Sequence, residues 1–159
     1  MNNTHDFQDG QGSVPAHQHI NGGGWVADTA FVAETAYVGK DAKVFGSAKV
    51  YDNAKVFDDA TVFGNAKVYG DAEVCGKAWV YDNAIVSANA EVSGDAWVYG
   101  NADVYGGARV YGNAEVCSDA QVFGKAEVYD NAKVYGSAEV SGNVVVKNTS
   151  TVCGTTVLN

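Results

Sequence analysis

Two small apolar residues recur every six positions along most of this chain. Alanine occupies every sixth position from Ala30 to Ala138, nineteen times, and valine every sixth position from Val26 to Val152, twenty-two times. A period of six matches neither the 3.6 residues per turn of an α-helix nor the 3.5-residue spacing of a coiled coil. Repetition of this kind predicts a solenoid, in which each unit packs against its neighbours.

The content of each unit predicts its local structure. A typical unit reads Val68-Tyr69-Gly70-Asp71-Ala72-Glu73. Alanine and valine are separated by one residue, so both point to the same face of a short strand. Glycine, aspartate and asparagine follow where the chain has to turn, because these residues tolerate positive φ. The sequence therefore predicts an all-β fold, a coil of short parallel strands.

This unit resembles the hexapeptide repeat, in which an aliphatic residue is followed four positions later by a small one. The resemblance covers residues 25–158. It implies a left-handed parallel β-helix with three hexapeptides, or 18 residues, per coil. On that basis the chain makes about seven coils.

A second resemblance lies before the repeats. The segments Val14-Pro15-Ala16-His17-Gln18-His19 and Asn21-Gly22-Gly23-Gly24-Trp25-Val26-Ala27 resemble the opening of hexapeptide-repeat proteins that bacteriophages and prophages commonly encode. Such proteins are often labelled transferases. The resemblance implies a viral protein that acts in the cytoplasm of a host cell.

Residues 1–24 break the repeat and contain the only proline and all three histidines. Because a solenoid has open strand edges, we expect residues 1–24 to form a cap on the β-helix of residues 25–159. His17, His19 and Trp25 are the candidate cap residues. His17 and His19 alone do not make a metal site without a nearby carboxylate or a third histidine, which only Asp6 and His5 could supply, so no metal is predicted.

Residues 18 apart should lie above one another on neighbouring coils. On one outer face this places Trp79 over Trp97 and Tyr81 over Tyr99, with Phe63 beside them. Stacked aromatic residues commonly stabilise a sheet, and we expect that role for most of the tyrosine and phenylalanine residues. Paired outward tryptophans indicate contact with another molecule. The predicted interaction surface is Phe63, Trp79, Tyr81, Trp97 and Tyr99.

The net charge indicates which classes of partner can bind this chain, and the cysteine content indicates its cell compartment. Ten Lys and Arg residues against nineteen Asp and Glu residues give a net charge of −9. That acidic balance disfavours direct binding to nucleic acid or to an anionic membrane, and it fits a basic partner or an acidic decoy. The N-terminal residues lack a secretory signal pattern, and the three cysteines are odd in number and far apart. Both features predict a cytoplasmic protein with free thiols.

The resemblance also raises the question of enzymatic activity. Hexapeptide acyltransferases use a histidine base beside a coenzyme A site, which is usually next to a loop that interrupts the coils. The repeats of this chain contain no histidine and no interrupting loop. A general base has to be present for such chemistry, so we predict no catalytic residue and no cofactor. The zinc-dependent carbonic anhydrases of the family need three histidines on neighbouring coils and are excluded likewise.

Three functions remain as hypotheses. The first is a non-enzymatic interaction module that binds a host or viral protein through the aromatic surface or as an acidic decoy. The second is an acyltransferase-like protein that uses acyl-CoA, because fold does not fix function. The third is a structural rod in a virion or filament. The partner is a protein or a second copy of the chain, and the family's habitual state is a parallel homotrimer.

Overall fold

The computed structural model describes residues 3–159, and its repeats form strands of two residues each. From β4 to β24, each strand consists of an outward residue and the valine that follows it. The strands in chain order are β1 Thr4–Asp6, β2 Ser13–Gln18, β3 Trp25–Ala27, β4 Phe31–Val32, β5 Tyr37–Val38, β6 Lys43–Val44, β7 Lys49–Val50, β8 Lys55–Val56, β9 Thr61–Val62, β10 Lys67–Val68, β11 Glu73–Val74, β12 Trp79–Val80, β13 Ile85–Val86, β14 Glu91–Val92, β15 Trp97–Val98, β16 Asp103–Val104, β17 Arg109–Val110, β18 Glu115–Val116, β19 Gln121–Val122, β20 Glu127–Val128, β21 Lys133–Val134, β22 Glu139–Val140, β23 Val145–Val146, β24 Thr151–Val152 and β25 Val157–Leu158.

These strands assemble into three sheets that run along the solenoid. The first sheet has ten strands in the order β1-β2-β3-β6-β9-β12-β15-β18-β21-β24. The second has eight strands from β4 to β25, and the third has seven from β5 to β23. Within the repeats, every third strand pairs in parallel at a register of 18 residues, as in Trp79 with Trp97 and Val80 with Val98. The predicted all-β parallel β-helix of about seven coils is confirmed.

The interior of the solenoid is built almost entirely from the repeating valine and alanine side chains. Every valine from Val38 to Val140 at the repeat position is fully buried, and so is nearly every repeat alanine. Backbone hydrogen bonds join successive coils, and a representative one runs from the Lys67 N–H to the Ala84 carbonyl at 2.9 Å. Small side chains on all three inner faces let the three sheets approach closely around one continuous core.

The corners between strands depend on residues that adopt the left-handed backbone conformation. Gly94 has φ of +69°, and a β-carbon there would lie 2.8 Å from the Gly112 nitrogen on the next coil. Asp52, Asp58 and Ala88 adopt the same conformation at equivalent corners, with φ of 56–59°. The Asp58 carboxylate accepts a hydrogen bond from the Gly76 N–H at 3.2 Å. Corners can therefore accommodate a β-carbon, at a cost in strain.

We expect Gly94→Ala to lower the free energy of unfolding by about 2–3 kcal/mol, through left-handed strain and crowding against Gly112. Gly154 is the matched control, because it has φ of +68° and nothing lies within 4 Å of its β-carbon position. Gly154→Ala should cost only the left-handed strain, about 1 kcal/mol. Urea denaturation followed by circular dichroism measures both values. Equal losses would contradict the role assigned to the contact between coils.

An antiparallel hairpin precedes the repeats. Strand β1 pairs with β2, aligning Thr4 with Pro15, and β2 pairs with β3, aligning His17 with Val26. The hairpin thereby covers the N-terminal edge of the first sheet. The segment that follows β2 covers the edge of the third sheet, where Gly24 N–H donates to the Val38 carbonyl at 2.9 Å and Val38 N–H donates to the Asn21 carbonyl at 3.0 Å.

The cap predicted for residues 1–24 begins with Met1 and Asn2, which lie outside the described residues. The remainder, residues 3–24, lies against two of the three sheets as described above. The division into a cap and a β-helix stays a prediction, because the hairpin continues directly into the first sheet. Within residues 3–159 there is no helix with the length and apolar character needed to cross a membrane.

Candidate interaction surface

Aromatic rings form a continuous stack on the outside of the first sheet. They follow the valine in successive coils, and the 18-residue register places each ring above the next. Phe45 and Phe63 stack with centroids 5.0 Å apart, Phe63 and Tyr81 at 4.9 Å, and Tyr81 and Tyr99 at 5.0 Å, with interplanar angles of 7° or less. Burial raises the pKa of the Tyr81 phenol, and the neighbouring Asp82 carboxylate raises it further.

Two tryptophans stand beside this stack, at the positions that precede the valine. The rings of Trp79 and Trp97 are 5.7 Å apart with an interplanar angle of 13°. Phe63 meets Trp79 edge-on at 85°, and Tyr81 meets Trp97 edge-on at 75°. Trp79 is 42% exposed and Trp97 is 43% exposed. The five residues of the predicted interaction surface thus lie together, and we call Phe63, Trp79, Tyr81, Trp97 and Tyr99 the aromatic face.

The hairpin adds two rings that the six-residue repeat does not place on this side of the molecule. Phe7 is buried and stacks on Phe45 at 4.9 Å. His5 stacks on Trp25 at 4.3 Å with an interplanar angle of 10°. A weak signal was present in the sequence, because Gly10 and Gly12 separate two extended segments as in a hairpin. Nothing in the six-residue period indicates where that hairpin pairs.

The three histidines have separate environments. The Nδ1 atom of His17 lies 2.9 Å from Oδ1 of Asp28, on the exposed side of the hairpin. His19 is buried, and its Nδ1 lies 3.1 Å from the Asn21 carbonyl oxygen. The Nε2 atom of His5 is buried without a hydrogen-bond partner among residues 3–159. Burial lowers the pKa of His5, and the Lys43 ammonium lowers it further against the opposing effect of Asp6.

No group of three or more His, Cys, Asp and Glu side chains within residues 3–159 is placed to hold a metal ion. His17 and His19 do not come together with His5 at a common point, since each has its own partners. The structure therefore places His17, His19 and Trp25 in the hairpin and the first coil, where they contact backbone and neighbouring side chains.

Two recesses adjoin the tryptophan pair. One, of about 350 Å³, lies against Trp97 and is bordered by Asp95, Asn113 and Glu115. Glu115 bonds to Lys133 at 3.0 Å on the coil that follows its own. The other, of about 340 Å³, lies against Trp79. It is bordered by Phe7, Asp9, Lys43, Thr61, Phe63 and Trp79, and we call it the Thr61 recess.

The third sheet carries charged side chains at the positions that the tryptophans occupy on the first sheet. Lys55 pairs with Glu73 at 2.8 Å, and Arg109 contacts Glu91 at 3.3 Å and Glu127 at 3.7 Å. These exposed pairs add little to stability because water screens them. Their presence shows that this position of the repeat accepts charged residues, so the two tryptophans are not required by the fold itself.

The three cysteines are free thiols and differ in their surroundings. Burial raises the pKa of the Cys75 thiol to about 11, and the nearby Glu91, Asp58 and Glu73 carboxylates contribute to the rise. Cys153 is exposed. Because the thiolate is the reactive form, we expect a disulfide reagent at pH 8 to modify Cys153 well before Cys75. Mass spectrometry of the time course measures the order. Modification of Cys75 first would contradict this prediction.

Comparisons with protein-family models, with curated proteins and with solved structures find no match to this chain.

Proposed function

We propose that this protein is a non-enzymatic interaction module and that its aromatic face binds a polypeptide. The observation that carries the proposal is the exposed, stacked pair of Trp79 and Trp97 on an otherwise regular solenoid. Tryptophan is among the residues that contribute most to protein interfaces, because it offers a large apolar surface at a small entropic cost. The strand register places the two tryptophans side by side, and their rings already stack on each other, so little ordering is needed on binding.

A second copy of the chain is the first partner to expect, and a homotrimer is the assembly that we favour. The hexapeptide resemblance supports this assembly, together with left-handed winding of the β-helix. Every copy exposes the same two large rings, and contact between copies removes this apolar surface from water. Association through the aromatic face should therefore increase with protein concentration. The resemblance of residues 14–27 supports a phage or prophage origin. A host or viral protein with a complementary surface would compete for the same face.

The non-enzymatic part of the proposal is supported by the sequence of the repeats. No histidine lies between Trp25 and Asn159, so no imidazole of the solenoid can act as a general base. The coils follow one another at a constant register of 18 residues, as in Lys43 with Thr61 and Lys133 with Thr151. No inserted loop supplies a cofactor pocket between these coils.

Hydroxyl-radical footprinting at low and high protein concentration tests which surface is used. Association through the aromatic face should protect Trp79 and Trp97 from oxidation as concentration rises. Phe31 is exposed on the second sheet and serves as the internal control, because its oxidation should stay unchanged. Protection of Phe31 without protection of the two tryptophans would place the interface elsewhere and overturn the proposal.

A further inference from the structure

A ring from the hairpin fills a gap at the end of the aromatic stack on the first sheet. Ala27 is the small residue that follows the valine in the first coil, so the stack that begins at Phe45 has no ring from the repeat above it. Phe7 comes from the hairpin and stacks on Phe45 at 4.9 Å. Phe7, Ala27 and Phe45 are buried in one cluster. A ring from outside the repeat thus occupies the place that a small residue leaves open.

A second gap of the same kind lies among the residues that precede the valine on the first sheet, and no aromatic ring occupies it. Thr61 pairs with Lys43 on one side and with Trp79 on the other, at the position that precedes the valine. The threonine is far smaller than the tryptophan that follows it, and it is 8% exposed at the base of the Thr61 recess. The recess of about 340 Å³ is at the small end of ligand sites and matches a single ring system.

The walls of the Thr61 recess favour an electron-rich aromatic ring. Trp79 and Phe63 supply aromatic surface at one end, already arranged edge-on at 5.7 Å. Lys43 stands at the other end, and its ammonium group forms no ion pair within residues 3–159. A ring held between them gains both aromatic packing and a cation–π contact. Asp9 borders the recess and can accept a hydrogen bond from an indole N–H or a phenol O–H.

We infer that the Thr61 recess binds one indole or phenol side chain of a partner polypeptide, as the anchoring residue of the interface proposed above. This inference rests on the proposed function. A neutral ring is favoured because the chain has a net charge of −9 and the recess already contains both a cation and a carboxylate. The recess adjoins Trp79, which stacks on Trp97, so a polypeptide that places a ring in the recess can also contact both tryptophans. That adjacency favours a polypeptide over a free ring compound.

Indole N–H signals of Trp25, Trp79 and Trp97 in a nitrogen-15 NMR titration test the inference directly. The probe is N-acetyl-tryptophanamide, and N-acetyl-leucinamide is the aliphatic comparison. The aromatic probe should shift the Trp79 signal most and in a saturable way, with at least tenfold weaker response to the leucine compound. Lys43→Gln should weaken binding of the aromatic probe about two- to fivefold through loss of the cation–π contact.

A substitution that fills the gap at Thr61 gives the most informative variant. Thr61→Phe should weaken the apparent affinity of the aromatic probe at least tenfold, because the new ring occupies the recess. Thr151→Phe is the matched control, since Thr151 holds the equivalent position of the last coil and should leave binding unchanged. Circular dichroism of both variants confirms that the fold is kept. An equal response to both probes, or an unchanged affinity in Thr61→Phe, would overturn the inference.

The same variants separate this inference from the proposed function. If Trp79→Ala/Trp97→Ala abolishes association and Thr61→Phe leaves it intact, the aromatic face is the interface and the recess is not its anchor. If association persists in the double tryptophan variant, the proposed function itself fails, whatever the probes do. Loss of association in both variants, together with probe binding at Trp79, is the result expected here.

Discussion

Val98→Asp should abolish cooperative folding of the middle coils, with a loss of at least about 4 kcal/mol in the free energy of unfolding. Val98 is fully buried between Val80 and Val116 on the neighbouring coils, in an interior lined by valine and alanine. No hydrogen-bond donor of a side chain faces this position, so a carboxylate there has no partner. Each coil of a solenoid is stabilised by packing against its two neighbours. Disruption of the coil that contains Val98 therefore also removes the packing that couples the coils on either side of it.

Val145→Asp is the control for this prediction. Val145 lies in β23, the last strand of the third sheet, and is 49% exposed, so the same substitution should change stability by no more than about 0.5 kcal/mol. Thermal and urea unfolding, followed by circular dichroism, measure both variants. Similar losses for the two substitutions would mean that the valine core does not hold the coils together.

The second large effect is expected from Phe63→Ala, which interrupts the aromatic stack. Phe63 contacts Phe45 and Tyr81 face to face and Trp79 edge-on. Its loss removes apolar packing and three aromatic contacts, so we expect the free energy of unfolding to fall by about 3 kcal/mol. The same variant removes a wall of the Thr61 recess. Chemical denaturation gives the size of the effect.

Phe57→Ala is the control that distinguishes the contribution of ring stacking to stability from the contribution of burial alone. It occupies the equivalent position on the third sheet and is likewise partly buried, but Gly39 and Cys75 are its neighbours in the 18-residue register. Phe57→Ala should therefore cost about half as much, about 1.5 kcal/mol, because no ring is stacked on it. A loss for Phe57→Ala as large as that for Phe63→Ala would show that the aromatic stack adds nothing beyond burial.

The parts of the structure that follow the repeat could be predicted from the sequence. A constant register of 18 residues fixes which side chains face each other, so the pairing of Trp79 with Trp97 follows from their numbers alone. The inward direction of Val80 and Val98 follows from the alternation of side chains along a strand. Because the repeat is regular, the same register and the same alternation of side chains predict the structure of every coil.

The hairpin and the Thr61 recess could not be predicted in the same way. Residues Thr4–Asp6 and Ser13–Gln18 belong to no repeat, so their antiparallel pairing depends on tertiary contacts that no period specifies. The recess arises because Phe7 and Asp9 of this segment approach Lys43 and Trp79. A site shared between a repeat and a non-repeating segment requires the three-dimensional placement of both.

Light scattering of the wild type and of Trp79→Ala/Trp97→Ala gives the native mass of each and shows whether the aromatic face holds the assembly together. Tyr51→Ala/Tyr69→Ala is the control, because those rings form a stacked pair on the second sheet at 4.9 Å. We expect an oligomer for the wild type and for this control, and a monomer of 16.6 kDa for the double tryptophan variant. An oligomer that survives loss of both tryptophans would contradict the claim that the aromatic face is the interaction surface, and a monomeric wild type would contradict self-association through it.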